Sequence, residues 1–151
     1  MLLKTHFAIA VFFVILFLPI VNDKIIFVVT CLIATYLPDV DSPYSTLGRK
    51  KPSRIIQFFV KHRGFLHSFT FLLVVTVLFA LYIPILAFGF FLGYGLHLLI
   101  DSFTLEGIAP FWPFKKRVMG KLRTGGKIEI GILIAFIVVD VLLLATRFSI
   151  F

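Results

Sequence analysis

The sequence contains few charged residues and a single cysteine, and each shortage excludes a class of protein. Only 15% of its 151 residues are charged and 60% are hydrophobic, whereas about a quarter of the residues in a soluble domain are charged. Such an apolar composition also excludes a disordered chain. Because Cys31 has no second cysteine to pair with, the sequence excludes an internal disulfide framework and a zinc site made of cysteines.

Acidic residues are also scarce, with 7 Asp and Glu against 15 Lys and Arg and a net charge of +8. In a soluble protein this excess would suggest nucleic acid as a partner. In so apolar a chain it indicates membrane topology and contact with anionic lipid. We therefore expect the basic loops to contact an anionic lipid surface, and we expect no nucleic-acid partner.

Five apolar stretches have lengths that are typical of transmembrane helices or slightly shorter. They are residues 7–21, 25–37, 65–83, 84–100 and 128–146. The fourth carries Gly89, Gly93 and Gly95, small residues that permit close contact between helices. The sequence predicts an all-α fold, a polytopic integral membrane bundle of about five transmembrane helices that forms one membrane-embedded domain.

Basic residues concentrate on one side of this arrangement. All but Lys24 and Arg147 lie at the N-terminus or in the connections 39–64 and 101–127. The positive-inside rule then predicts a multi-pass protein of the cytoplasmic (inner) membrane, with a cytoplasmic N-terminus and an external C-terminus. Residues 111–114, Phe-Trp-Pro-Phe, are typical of an interfacial aromatic anchor.

All four histidines and three of the acids fall at the helix ends that this topology makes cytoplasmic. The set is His6, Asp39, Asp41, His62, His67, His97 and Asp101. Taken singly, each has an ordinary interpretation as a helix cap or a solvated turn residue. Ionisable groups at membrane level are costly and tend to mark function, so the whole set predicts a metal site.

The spacing of these residues adds detail to the predicted metal site. A step of four places His97 and Asp101 on one helical face, and we expect His67 in the first turn of the third span. Seven candidates suffice for one or two divalent ions, since a catalytic ion needs about three protein ligands. Imidazole and carboxylate ligands without thiolate suit zinc first, and leave manganese or iron open.

Two further residues are candidates for substrate binding or acid–base catalysis. Arg63 carries a fork of donors that suits phosphate, although its charge also fits topology alone. Glu129 follows residues 123–126, Arg-Thr-Gly-Gly, whose backbone N–H groups can bind an anion at a helix start. The alternative for Glu129 is stabilisation of the helix N-terminus. We assign no role to Asp140.

Three segments of the sequence resemble the YdjM family. They read Leu-Pro-Asp-Val-Asp-Ser-Pro at 37–43, His-Arg-Gly-Phe-Leu-His-Ser at 62–68, and Gly-Tyr-Gly-Leu-His-Leu-Leu-Ile-Asp-Ser-Phe-Thr at 93–104. His6 and residues 123–129 fit the same pattern. The family is described as membrane-bound, metal-dependent hydrolases, some of them under LexA control. Leu66 and Gly126 depart from its commonest residues without removing a proposed ligand.

The order of these residues is also similar, more loosely, to the zinc-dependent phospholipase C and P1 nuclease group, whose helical members cleave phosphoesters. The two resemblances imply a metal-dependent hydrolase that acts at the cytoplasmic face on a phospholipid or another lipid-linked phosphoester. The alternatives are a metal transporter or sensor without hydrolytic activity, and a membrane metallopeptidase, although the chain lacks His-Glu-x-x-His. Five helices in so short a chain make a thin bundle, which is compatible with a homodimer.

Overall fold

The computed structural model describes residues 1–41, 64–114 and 116–148, except for the side chains of residues 40, 41 and 148. Within these ranges the chain forms five α-helices and no strand. They are α1 (Leu3–Phe17), α2 (Lys24–Tyr36), α3 (Phe69–Tyr82), α4 (Pro84–Ser102) and α5 (Lys127–Phe148). Short 3-10 turns, Leu18–Ile20 and Leu37–Asp41, extend α1 and α2. The predicted all-α fold is confirmed.

Helix α3 begins four residues later than the apolar run predicts. Ser68 is its N-cap, because this residue has an extended backbone and its hydroxyl oxygen accepts a hydrogen bond from the Phe71 N–H at 3.1 Å. A capping serine in this geometry fixes the helix start. The prediction that His67 lies in the first helical turn is therefore wrong, since His67 precedes the cap.

Three helical segments are long and apolar enough to cross a membrane. They are Leu3–Ile20, Pro84–Ser102 and Lys127–Arg147. With 13 and 14 residues, α2 and α3 are shorter than the usual span of about 20 residues. The chain is thus a helical membrane protein, and the count of five spans stays a prediction.

Helix α4 is the centre of the bundle, with α2 packed on one side and α3 on another. Gly93 lies so close to α2 that a Cβ atom there would be 2.1 Å from the Cys31 carbonyl oxygen, and a Cβ atom at Gly89 would be 3.0 Å from the Phe27 carbonyl oxygen. Gly95 instead faces α3, where a Cβ would make an ordinary contact with Leu72 at 3.4 Å. The prediction of close glycine packing is confirmed for Gly89 and Gly93.

Helix α5 lies at the edge of the bundle and packs mainly on α1. Phe12 and Phe136 join the two helices edge to face, with ring centroids 5.5 Å apart. Much of the remaining surface of α5 is exposed apolar side chain, including Ile134, Val138 and Leu142. A surface of this kind suits contact with lipid hydrocarbon.

Hydrogen bonds join two parts of the connection between α4 and α5 to each other, and others join this connection to the start of α3. Ile108 and Val118 exchange backbone hydrogen bonds of 3.0 and 2.9 Å. The Phe69 N–H donates to the Pro110 carbonyl at 2.8 Å, and the Thr70 hydroxyl donates to the Trp112 carbonyl at 3.0 Å. These bonds hold the beginning of α3, and hence His67, against the connection that follows α4.

Candidate metal centre

Five of the seven predicted metal ligands meet at one end of the bundle. Among the described helices, the starts of α1 and α3 lie beside the ends of α2 and α4. This placement brings together His6, Asp39, His67, His97 and Asp101. The remaining candidates, His62 and the side chain of Asp41, lie outside the described residues, and so does Arg63.

The carboxylate of Asp101 lies at the middle of the cluster. Its Oδ1 atom is 3.3 Å from His6 Nε2 and 2.6 Å from the amino nitrogen of Met1. Its Oδ2 atom is 3.8 Å from His97 Nε2 and 4.0 Å from His67 Nε2. Both oxygens therefore face imidazole nitrogens, and Asp101 is 1% exposed. A buried carboxylate needs compensating positive charge or hydrogen bonds, which these neighbours offer.

His97 is oriented by a backbone group of α2. Its Nδ1 atom donates a hydrogen bond of 2.8 Å to the Thr35 carbonyl oxygen, which can only accept. The lone pair of the neutral ring is then on Nε2, which points toward Asp39 Oδ1 at 3.8 Å as well as toward Asp101. Within the described part of the chain, Nε2 has no hydrogen-bond partner. Histidines that ligate metals commonly donate their second ring N–H to a carbonyl in this way.

The ligand atoms form two overlapping triads that share His97. His6, His97 and Asp101 make one, and Asp39, His67 and His97 make the other, with all the ligand atoms of a triad within 4.8 Å of one another. Two ligands bound tetrahedrally to zinc are about 3.3 Å apart. Because the measured N–O separations are 3.3 to 4.0 Å, small inward movements would suffice to close the cluster around an ion. The donor spacing and chemistry therefore fit a divalent cation.

Asp39 forms the accessible edge of the cluster. Its side chain is 18% exposed, whereas those of His97 and Asp101 are 0% and 1% exposed. Partial burial raises the pKa of the Asp39 carboxyl above its usual value, although the nearby His6 and His67 act in the opposite direction. A molecule that approaches the centre would therefore reach it beside Asp39, at the end of α2.

The carboxylate of Glu129 holds the start of α1 rather than pointing into the two triads. Its Oε1 atom accepts hydrogen bonds from the Leu2 N–H at 2.6 Å and from the Thr5 hydroxyl at 3.0 Å. Its Oε2 atom accepts one from the Gly125 N–H at 2.6 Å. Since His6 directly follows Thr5 in the same helix, Glu129 ties α5 to the helix that supplies one imidazole. Its predicted role in acid–base chemistry stays a prediction.

The anion site predicted for residues 123–126 needs a correction. The Gly125 N–H is bonded to Glu129, and the Gly126 N–H donates to the Arg123 carbonyl at 2.9 Å. These two donors are therefore satisfied within the protein. Asp140 is buried three turns further along α5, and its Oδ1 atom has no hydrogen-bond partner among the described residues.

Sequence reasoning missed three supporting contacts. Thr35 supplies the carbonyl that orients His97, Thr5 bonds to Glu129, and the Tyr94 hydroxyl donates to the Leu66 carbonyl at 2.6 Å, beside His67. The Thr35 and Leu66 carbonyls give no sequence signal, since they are backbone groups.

Comparisons with known proteins match this chain to a family of membrane proteins. The profile of the family described as YdjM inner membrane protein matches residues 1–150. The "Uncharacterized protein YvsG" of Bacillus subtilis (strain 168) is 30% identical over 100 residues, which cover 64% of this chain and 62% of that protein.

The "Inner membrane protein YdjM" of Escherichia coli (strain K12) is 35% identical over 99 residues, which cover 60% of this chain and 48% of that protein. The protein of the same name from Shigella flexneri matches equally. The matched part thus spans between 48% and 62% of the length of these relatives. No solved structure matches the chain.

Proposed function

Since the chain belongs to the YdjM inner membrane protein family, we propose that it is a membrane-bound, metal-dependent hydrolase. The observation that carries this proposal is the convergence of three imidazoles and two carboxylates from four separate segments at one end of the bundle. Packing five such groups together in a membrane protein costs free energy, and groups of this kind tend to mark a functional site. A divalent ion would compensate this cost by binding both kinds of ligand.

The proposed ligands are the five residues of the cluster. The Oδ1 atom of Asp101 faces His6, and its Oδ2 atom faces His67 and His97. Three imidazoles and two carboxylates suit zinc, and they also suit manganese or iron. The set would suffice for one ion or for two. A bound divalent ion supplies a Lewis acid and lowers the pKa of its water to about 7. His97 is held for this task by Thr35, and Asp39 lies where a substrate would enter.

The proposed substrate is a phospholipid or another lipid-linked phosphoester. The cluster lies where the ends of apolar helices meet polar connections, which is the level of lipid head groups. Lys4, Arg123 and Lys127 belong to the same end of the bundle and can attract phosphate. Arg63, which sequence reasoning assigned to phosphate binding, remains part of this proposal.

The proposed topology has five spans, a cytoplasmic N-terminus and an external C-terminus. It is supported by the meeting of the starts of α1 and α3 with the ends of α2 and α4, and by the concentration of Lys and Arg in the connections 39–64 and 101–127 of the sequence. The centre would then face the cytoplasm. Contact of the basic loops with anionic lipid, the absence of a nucleic-acid partner and a homodimer belong to the same proposal.

The arrangement favours a hydrolase over the alternative of a metal transporter. A transporter places its ligands near the middle of the membrane, with a route to both sides. Among the described residues, the two candidate triads lie at one end of the bundle, and Asp140 belongs to neither triad.

The test is the metal content of detergent-purified protein, measured by elemental analysis in four matched samples. They are the wild type, His97→Ala, Asp101→Asn and Asp140→Asn. We expect about one or two ions per wild-type chain, loss of the metal in the first two variants, and no change in Asp140→Asn. The last variant neutralises a buried aspartate outside the cluster, so it controls for charge and burial.

Hydrolysis follows as the second measurement, on phosphatidylglycerol in nanodiscs with and without a chelator. Phosphate ester cleavage that stops in the chelator and in Asp101→Asn would support the proposal. Wild-type protein that binds no metal on add-back, or whose affinity is the same in His97→Ala, would contradict it.

A further inference from the structure

A groove runs along the outside of the bundle between α2 and α3. Both helices pack on α4, yet in the part of the chain that the structure describes they do not pack on each other. The space between them is a cavity of about 550 Å³. Ile26 and Ile33 of α2 form one wall, Phe79 of α3 the other, and Phe90 of α4 the floor. The lining is almost entirely hydrocarbon.

One end of the groove lies close in the chain to the accessible edge of the candidate metal centre. It extends along α2 from Ile25 to Leu37, which at 1.5 Å per residue is about 18 Å. Leu37 is two residues before Asp39, the most exposed of the five cluster residues. In the proposed topology α2 crosses the membrane, so the groove runs along the whole span, and its Leu37 end is the one nearest to the polar cluster. An acyl chain that starts at that end needs about 15 Å of its length to reach the middle of the bilayer, half of the hydrocarbon core.

We propose that this groove binds one acyl chain of the lipid whose phosphoester head group reaches the metal centre. This inference rests on the proposed function, and it adds the surface that would select a substrate with an acyl chain. Aliphatic walls give an acyl chain dispersion contacts and no hydrogen-bonding requirement. The chain would enter from the surrounding leaflet, because Ile25, Val29 and Ile33 at the outer wall are 81, 49 and 56% exposed.

The dimensions favour an acyl chain over a second copy of the protein. A volume near 550 Å³ lies within the range of small-molecule sites, about 300 to 1,000 Å³. A helix from another copy is about 10 Å wide with its side chains, and stable protein interfaces bury more than about 1,000 Å². A narrow groove with Phe79 at its far wall and Leu86 and Phe90 at its floor suits a thin, flexible acyl chain.

The test uses native mass spectrometry of delipidated protein in detergent. The probe is the phosphonate analogue of dipalmitoyl phosphatidylglycerol, whose phosphorus–carbon bond resists hydrolysis. Ile33→Trp fills the groove, and Ile134→Trp places the same side chain on the lipid-facing surface of α5, where the isoleucine is 57% exposed against 56% for Ile33. We expect one lipid per wild-type chain, binding weaker by about tenfold or more in Ile33→Trp, and no change in Ile134→Trp.

Zinc content is measured in the same samples and separates this inference from the proposed function. Unchanged zinc with weaker lipid binding in Ile33→Trp supports the groove. Equal lipid binding in Ile33→Trp and Ile134→Trp overturns it, and so does a dimer that Ile33→Trp disrupts without any effect on lipid. Absence of zinc from every sample would count against the hydrolase alone. Val29→Phe serves as a second groove variant if Ile33→Trp does not fold.

Discussion

Helices α4 and α5 are both long and apolar, yet they occupy opposite positions in the protein. α4 is enclosed by α2 and α3 and carries two of the cluster residues, His97 and Asp101. α5 packs on α1 and presents most of its remaining surface outward. Their contributions to the candidate metal centre differ in the same way, since α4 supplies two of the proposed ligands and α5 supplies Glu129, which holds α1.

The two helices occupy different positions because of their small residues and not because of their apolar character. In lipid, apolar side chains give little preference for another helix over hydrocarbon, so close packing of backbones decides which helices associate. Gly89 and Gly93 repeat at four residues on the face of α4 that meets α2, and the same spacing continues to His97 and Asp101. The face that packs tightly therefore also carries two of the proposed ligands. Gly131 of α5 has open space around it.

The largest expected effect comes from adding one methyl group to this packed face. In Gly93→Ala the new Cβ would lie 2.1 Å from the Cys31 carbonyl oxygen, a backbone atom that cannot turn aside. We expect a loss of about 3 kcal/mol in unfolding free energy, together with loss of bound zinc, because His97 follows one turn later. Unfolding in mixed detergent micelles, followed by circular dichroism, measures the first, and elemental analysis the second.

The control for this variant is Gly131→Ala in α5, where nothing lies within 4 Å of the added Cβ. Alanine there is expected to be neutral, or stabilising by up to about 1 kcal/mol through helix propensity. Equal destabilisation by the two variants would show that packing on α2 does not distinguish the two helices.

A variant of Glu129 tests the comparison of α4 with α5 from the α5 side, because Glu129 acts on the candidate metal centre through α1. In Glu129→Gln, one side-chain oxygen that accepts a backbone N–H becomes an amide nitrogen that cannot accept. The remaining oxygen cannot accept from both α1 and Gly125, so residue 129 no longer ties the two together, and His6 is held less firmly. We expect metal affinity to fall by about tenfold, the lower end of the range for residues that position ligands, as measured by competition with a chromogenic chelator.

Glu106→Gln makes the same chemical change at an exposed glutamate and should leave metal affinity unchanged. The outcome also separates two interpretations of Glu129. If Glu129→Gln bound zinc like the wild type and yet failed to hydrolyse phosphoester lipid, Glu129 would have the acid–base role that the sequence suggested, and its contact with α1 would be incidental.

Sequence reasoning located the helices and the polar end of the bundle because both follow from patterns along one segment. Apolar runs placed α2 and α4 within two residues of their observed ends, and the alternation of spans placed His6, His67 and Asp101 at a common level. Such reasoning needs only the length of each run and the reversal of direction at each turn.

The contacts that fix the centre depend on how each helix is rotated against its neighbours, which no single segment reveals. His97 bonds to the carbonyl of Thr35, and any residue type at position 35 would carry that carbonyl. Gly95 faces α3 although it lies two residues from Gly93, which faces α2. Glu129 is occupied by backbone N–H groups of Leu2 and Gly125. Backbone partners of this kind have no signature in a sequence.

The smallest expected effect separates the hydroxyl of Thr35 from its carbonyl. The hydroxyl donates to the Cys31 carbonyl at 2.8 Å within α2 and lies 3.3 Å from the Gly93 carbonyl of α4. Thr35→Val removes both contacts and keeps the shape of the side chain and the carbonyl that holds His97. Hydrogen bonds between helices in membranes contribute about 0.6 kcal/mol on average, so we expect a loss of that size with unchanged metal affinity.

Thr146→Val in α5 is the matched control, because the Thr146 hydroxyl bonds within its own helix, to the Leu142 carbonyl at 3.1 Å, and is exposed. The difference in unfolding free energy between the two variants then isolates the contact between α2 and α4. If Thr35→Val weakened zinc binding as much as Glu129→Gln, the hydroxyl and not the carbonyl would be what positions His97. Because a carbonyl accepts from the Nδ1–H of His97 at 2.8 Å, we expect zinc to bind Thr35→Val as it binds the wild type.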